Sequence, residues 1–206
     1  MNKVTMCLRA CMAFAVVLAN GGAAAQSSAP VPKPSPKVGD VLEFDKLYVT
    51  VPCKRWEVKE LDKNGLQVSQ CGDNLAYFEV ATGALVRIVT KDGDKLVQFS
   101  PRSTSIEFPL SVGKTWSGSY DGYTNDDGAQ WNAKSKCTVQ AAEKVKVPAG
   151  EFDALRILCE DAWSSGPFSG VSKTTSWYAP QVGTVVKAVN PEAARWNYEL
   201  VSHQSK

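Results

Sequence analysis

Cys137-Thr138-Val139-Gln140-Ala141-Ala142-Glu143-Lys144-Val145-Lys146-Val147, then Pro148-Ala149-Gly150, then Glu151-Phe152-Asp153-Ala154-Leu155-Arg156-Ile157-Leu158-Cys159 and on to Trp163 reads as two strands joined by a tight turn. In the first arm Cys137, Val139, Ala141, Val145 and Val147 alternate with Thr138, Gln140, Lys144 and Lys146. Apolar/polar alternation of period two marks a strand with one face on a core. In the second arm Leu155, Ile157, Cys159 and Trp163 share one parity. A turn centred near Pro148 sets Cys137 opposite Cys159, and directly opposed residues of an antiparallel pair point to the same face. Register and parity thus agree on one cross-strand disulfide.

Working outward, short runs rich in Val, Thr, Tyr, Phe and Trp are separated by turn residues. They predict strands over 41–51, 54–61, 66–71, 75–81, 85–90 and 95–100, and another over 103–108. Beyond them, strands are expected over 115–123, 171–179, 184–189 and 195–202. Asn64-Gly65 suits the left-handed dihedrals of a two-residue hairpin loop. No stretch after residue 25 keeps a helical apolar stripe for three turns. The expectation is one all-β domain over 38–206, an antiparallel barrel or a strongly curved half-barrel or sandwich.

The first 25 residues read as an export signal. Lys3 and Arg9 precede a short apolar run, and Ala23-Ala24-Ala25 offers a small-residue cleavage site. The run is far shorter than the ~20 residues of a membrane span. Cys7 and Cys11 precede it, which argues against a lipid-modified mature N-terminus. Removing Lys3 and Arg9 takes 23 basic residues to 21, equal to the 21 acidic ones. With no block of like charge left, nucleic acid and anionic membrane surfaces are not expected partners. Residues 26–37, with four prolines, form an extended, mobile linker.

Cys53, Cys71, Cys137 and Cys159 remain, an even number in an exported chain, which predicts disulfides and a periplasmic or secreted location. The favoured pairing is Cys53–Cys71 with Cys137–Cys159. No Cys-x-x-Cys occurs and His203 is the sole histidine, so no metal and no cofactor are expected.

A corner phrase recurs: Pro36-Lys37-Val38-Gly39, Pro109-Leu110-Ser111-Val112-Gly113 and Pro180-Gln181-Val182-Gly183. Proline fixes one dihedral, Val is expected to pack under the sheet, and Gly permits the reversal. Together, Phe108-Pro109-Leu110-x-Val112-Gly113-Lys114-x-Trp116, Val147-Pro148-Ala149-Gly150-x-Phe152 and Trp177-Tyr178-Ala179-Pro180-x-Val182-Gly183 resemble a group of uncharacterised exported bacterial proteins. The resemblance covers residues 108–187 best. It implies a β-rich envelope domain, a barrel or a sheet wrapped like the half-open barrels of lipoprotein carriers, and it transfers no functional residue.

Catalytic constellations are wanting. His203 sits three residues from the end in a polar tail, and is read as exposed and uninvolved. Ser111-x-x-Lys114 lies in a corner already explained by its Pro and Gly. Asn125-Asp126-Asp127-Gly128 fails as a calcium loop, since Tyr123 and Lys134 stand where ligands are needed. Glu160 and Asp161 are adjacent, so they point to opposite faces and cannot form a glycosidase pair.

The aromatics remain. Trp116, Trp177 and Trp196 are read as core. Trp131 and Trp163 flank expected loops, and with Phe168 in the Ser/Gly-rich stretch 164–170 they are the candidate ligand-binding residues. The reading is a non-catalytic envelope domain for an apolar small molecule or peptide. The alternatives are an envelope hydrolase whose carboxylates are unlocated, and a structural domain docking an envelope protein through a sheet edge.

Overall fold

The structure, a computed structural model, describes residues 29–46, 51, 53–125 and 128–206. The export signal, linker residues 26–28 and the centre of the 125–128 turn lie outside the described residues. So do residues 47–50, which the first expected strand was to include.

Among the described residues, twelve strands close into one antiparallel barrel. They are β1 (Val41–Phe44), β2 (Arg55–Leu61), β3 (Leu66–Cys71), β4 (Asn74–Glu79), β5 (Leu85–Thr90) and β6 (Lys95–Ser100). The second half comprises β7 (Thr115–Thr124), β8 (Gln130–Val147), β9 (Gly150–Ser165), β10 (Phe168–Ala179), β11 (Thr184–Val189) and β12 (Tyr198–Gln204). Each strand pairs with the next, and β1 pairs with β12 to seal the ring. Closure leaves no sheet edge in need of protection.

Directly paired residues share a face, so the inner wall can be followed around the ring. Ser69 pairs with Ala76, Ala76 with Ile88, and Ile88 with Val97, all buried. Further on, Val139 pairs with Ile157, Ile157 with Ser176, and Ser176 with Ala188. Polar partners such as Lys134, Lys136, Glu160 and Lys173 take the alternate, outward positions, where Lys173 and Glu160 pair at 2.6 Å. The barrel follows from period-two alternation sustained over twelve segments.

The β8–β9 hairpin carries the expected pairing of Cys137 with Cys159, their Cα atoms 4.1 Å apart. The turn pairs Val147 with Gly150, which on its own would set Cys137 against Glu160. The ladder slips by one residue between Val139 and Ala141, leaving Gln140 bulged out, and this brings the cysteines into register. Cys53 and Cys71 form the other disulfide.

The same hairpin buries both of its faces in turn. Ala154 and Leu155 are consecutive, so they point to opposite sides, yet both are buried. Leu155 packs with Cys137, Val139, Ile157, Leu110, Trp116 and Tyr178. Ala154 packs with Val145, Val147, Phe152 and residues of β1, β11 and β12 such as Phe44, Val186 and Leu200. Past the last β10 partner the ribbon's tip reaches β12, where the Ala149 N–H donates to the Leu200 carbonyl at 3.1 Å.

Some expectations fail. Residues 103–108 form no strand, because side chains take their carbonyls: Trp116 Nε1 donates to Ser105 O at 2.7 Å and Lys114 Nζ bonds Glu107 O. The loop expected at 164–170 is a two-residue turn, Ser165 pairing with Phe168. Trp163 and Trp131 are therefore strand residues. The last strand starts late: Ala194–Trp196 is a 3-10 turn that buries no residue, so Trp196 is not core. Asn190 Oδ1 accepts from the Glu192 and Ala193 amides and turns the chain there.

At the three corners Gly39, Gly113 and Gly183 have φ of 94°, 88° and 73°, the region open chiefly to glycine. Val38 and Val112, however, are exposed rather than tucked under the sheet.

Candidate functional site

The Pro-rich segment is extended, as prolines require when they fix φ and withhold donors, but it is docked at its start. Val31 exchanges two backbone hydrogen bonds of 2.8 Å with Leu110. A Cβ placed on Gly183 would stand 3.3 Å from Pro34 Cβ, so the corner glycine gives the segment room to approach. The result is a strap, residues 31–36, lying along one mouth of the barrel.

Between strap and barrel wall is a cavity of about 450 Å³. Its apolar wall includes Leu42, Phe44, Val58 and Phe78. Phe44 meets Tyr198 edge-on with ring centroids 5.3 Å apart, and Tyr178 meets Phe108 in the same way at 5.3 Å. Polar side chains such as Gln67, Ser69, Thr184 and Gln204 share the lining about evenly with these apolar ones, and the volume has the dimensions of a small-molecule site.

The polar groups on the wall divide sharply. Both carboxylates are engaged: Asp40 accepts from the Lys37 and Lys206 amides and Ser205, and Glu79 holds Arg102 and Thr82. Trp56 is 5% exposed and its Nε1 has no hydrogen-bond partner. Burial alone pushes the Tyr178 hydroxyl up to about 12 and raises that of Tyr198 above the ordinary phenol range. His203 is exposed as expected, yet it belongs to β12 and does not fray, its ring 5.9 Å from that of Phe152. It lines the cavity, as does Lys33.

The three aromatics singled out from the sequence lie elsewhere. The Trp131 ring covers Gly122, its cross-strand partner, and meets Phe99 edge-on at 6.0 Å. Trp163 lies over Gly170 in the same manner. A Trp laid across a strand glycine fills the place of the missing side chain. Phe168 is 70% exposed at the β9–β10 turn. None of the three lines the cavity. Trp56, Tyr178 and Tyr198 do, and the signal for Trp56 was its alternation with Val58 on an inward face.

A smaller hollow of about 190 Å³ is lined by Thr104, Tyr120 and Ser135, which belong to a polar chain. Asp161 accepts from Tyr120 at 3.2 Å and from Ser135, which is 2.9 Å from Thr104. Burial and then the neighbouring Asp161 charge push the Tyr120 hydroxyl up to about 12. Asp161 faces inward while Glu160 pairs outward with Lys173, as their adjacency requires.

No family model matches the chain, and no curated protein does. Among solved structures, an exported protein with YmcC-like fold from Bacteroides fragilis superposes with a TM-score of 0.53 at 12% identity, over 86% of this chain and 100% of that one. The likeness is one of fold alone. A lipoprotein from Parabacteroides distasonis gives a TM-score of 0.49 at 12% identity, over 85% of this chain and 98% of that one. The hypothetical lipoprotein YmcC from Escherichia coli gives 0.49 at 11%, over 84% and 90%. The two disulfides fit an extracytoplasmic location.

Proposed function

We propose that this chain is a non-catalytic, periplasmic binding domain that holds an apolar ligand in the strapped mouth of its barrel. The observation that carries the reading is the cavity of about 450 Å³ between residues 31–36 and an aromatic wall. A core built only for stability packs to the density of an organic crystal and leaves few voids larger than a water molecule. Here the strap spans the open mouth without filling the space behind it, which is intelligible where a ligand completes it. The barrel supplies rigidity: a sealed ring and two disulfides hold the wall in place whether or not the site is filled.

The test is protein expressed with its leader, purified from the periplasm and weighed by native mass spectrometry before and after organic extraction. An extractable apolar molecule at near one equivalent is the expected result. A stoichiometric co-purifying protein, or turnover of pooled ester or glycan substrates, would replace this reading by docking or by hydrolysis.

A further inference from the structure

Every strand of the ring has a neighbour on each side, but the seams are not bonded along their whole length. β6 meets β7 over four pairs only, from Val97 with Thr124 to Ser100 with Asp121. Pro101 follows and withholds the next donor. The chain then leaves the wall: the Ser103 N–H donates to Leu85 O of β5, Thr104 Oγ1 lies 2.9 Å from Ser135 Oγ, and Ser105 O accepts from the Trp116 indole. From Thr115 to Tyr120, β7 has no strand beside it on that side.

Alternation settles which backbone groups face the gap. The Thr124 N–H donates to Ala129 O and the Val139 N–H to Lys114 O, so even-numbered residues of β7 bond toward β8. The Asn125 N–H donates to Leu96 O, so odd-numbered ones face β6. Thr115, Ser117 and Ser119 therefore turn N–H and C=O into the gap, and no hydrogen bond takes them up among the described residues. The gap is the hollow of about 190 Å³, walled on its far side by residues 101–105 and Glu107. Exposed edges are commonly guarded by Lys, Pro or a bulge. This one reads Ser117-Gly118-Ser119 without a bulge, and a Cβ on Gly118 would meet nothing within 4 Å.

We propose that this slot receives an extended segment of a partner protein, which adds as a short strand along Thr115–Ser119. Paired donors and acceptors repeating at every second residue are the complement of another backbone. Because residues 101–107 wall the far side, the slot admits a single extended chain and not the edge of a second, equally walled barrel. The partner residue opposite Gly118 points its side chain to the inner face, toward Thr104, Tyr120 and Ser135. Tyr120 and Ser135 give their protons to Asp161, so Thr104 donates to Ser135. The hydroxyls thus present oxygen lone pairs to the hollow, and the side chain that suits them is a donor. At ~30 Å³ per water the hollow takes about six waters' worth of atoms, room for a side chain of Gln size. No residue lines both this hollow and the strapped cavity, so the two proposals stand separately.

The probe is the peptide acetyl-Thr-Val-Gln-Val-Thr-amide, titrated to millimolar concentration into isotope-labelled protein and followed by amide NMR. The Ser117 and Ser119 amide protons are expected to move downfield, while those of Trp116 and Gly118, already bonded to β8, hold still. Ser117→Pro deletes a donor that faces the slot and no ladder bond, and should weaken binding by roughly tenfold. Gly118→Gln fills the hollow from within and should weaken binding as much, with its urea midpoint unchanged. That variant decides the matter even where the proline variant does not fold. Unmoved Ser117 and Ser119 amides, or equal binding by wild type and Gly118→Gln, overturn the slot. Movement of the same amides on concentrating the protein without peptide overturns the partner segment in favour of a second copy. A probe with Leu in place of Gln should bind roughly tenfold more weakly, and equal binding of the two overturns the inward donor.

Discussion

Val31 and Leu110 hold each other by both of their backbone groups, N–H to carbonyl in each direction at 2.8 Å. Leu110 is fully buried, so this bridge ties the strap to the core rather than to the surface. Val31→Pro removes one donor and with it a bond worth ~1 kcal/mol. The strap should then come away, and limited proteolysis followed by mass spectrometry should show cleavage near residues 31–37 that the wild type resists.

The staple between Cys137 and Cys159 closes a loop with a sequence separation of 22. Replacing both by Ala should lower the unfolding free energy by ~3 kcal/mol, chiefly through the unfolded chain. Urea titration of oxidised wild type against the double variant measures it. An unreduced peptide map should link 137 to 159 and 53 to 71.

Gly122 and Gly118 sit on the same face of β7 and make opposite predictions. A Cβ at Gly122 would stand 2.3 Å from the Trp131 ring, while one at Gly118 meets nothing within 4 Å. Gly122→Ala should therefore cost ~1–3 kcal/mol by overpacking and Gly118→Ala less than ~0.5, both read from urea midpoints. Matching costs would dissolve the claim that Trp131 stands in for a side chain at Gly122.

Tyr120 and Tyr178 hold their protons up to about 12, against 10.0 for an ordinary phenol. Between those values the folded chain binds more protons than the unfolded one, so stability falls with rising pH. It is intact below pH ~10 and lost as pH climbs through ~12. Tyrosinate absorbance should show a late-titrating set that appears together with unfolding. Tyr120→Phe should flatten the alkaline decline.

Much of this was legible in the residues. β3, β5, β6 and β11 start and stop where alternation and turn residues place them, because Val, Ile and Leu on one parity leave a strand little choice of face. The cysteine pairing was legible too, although its reason was not: the sequence suggests a turn centred on Pro148, whereas the chain turns one half-residue later and bulges at Gln140. Residues 103–108 alternate acceptably and still form no strand, since Trp116 and Lys114 compete for their carbonyls from elsewhere in the chain. The candidate cavity was hidden for a similar reason, since the contacts that form it come from distant parts of the chain. Trp131 and Trp163 attract notice beside turn-rich segments, but their cross-strand glycines Gly122 and Gly170 absorb them.

The seam between β1 and β12 is the joint that turns a sheet into a ring. Val41 pairs with Gln204, and Asp40 takes up Ser205 and Lys206. The ring thus joins the first described strand to the last. Before that joint forms, β1 is held along one side only, by β2, and β12 by β11. The closed ring is accordingly an all-or-none object, and loss of β12 would leave β1 and β11 as two raw edges open to pairing with other chains.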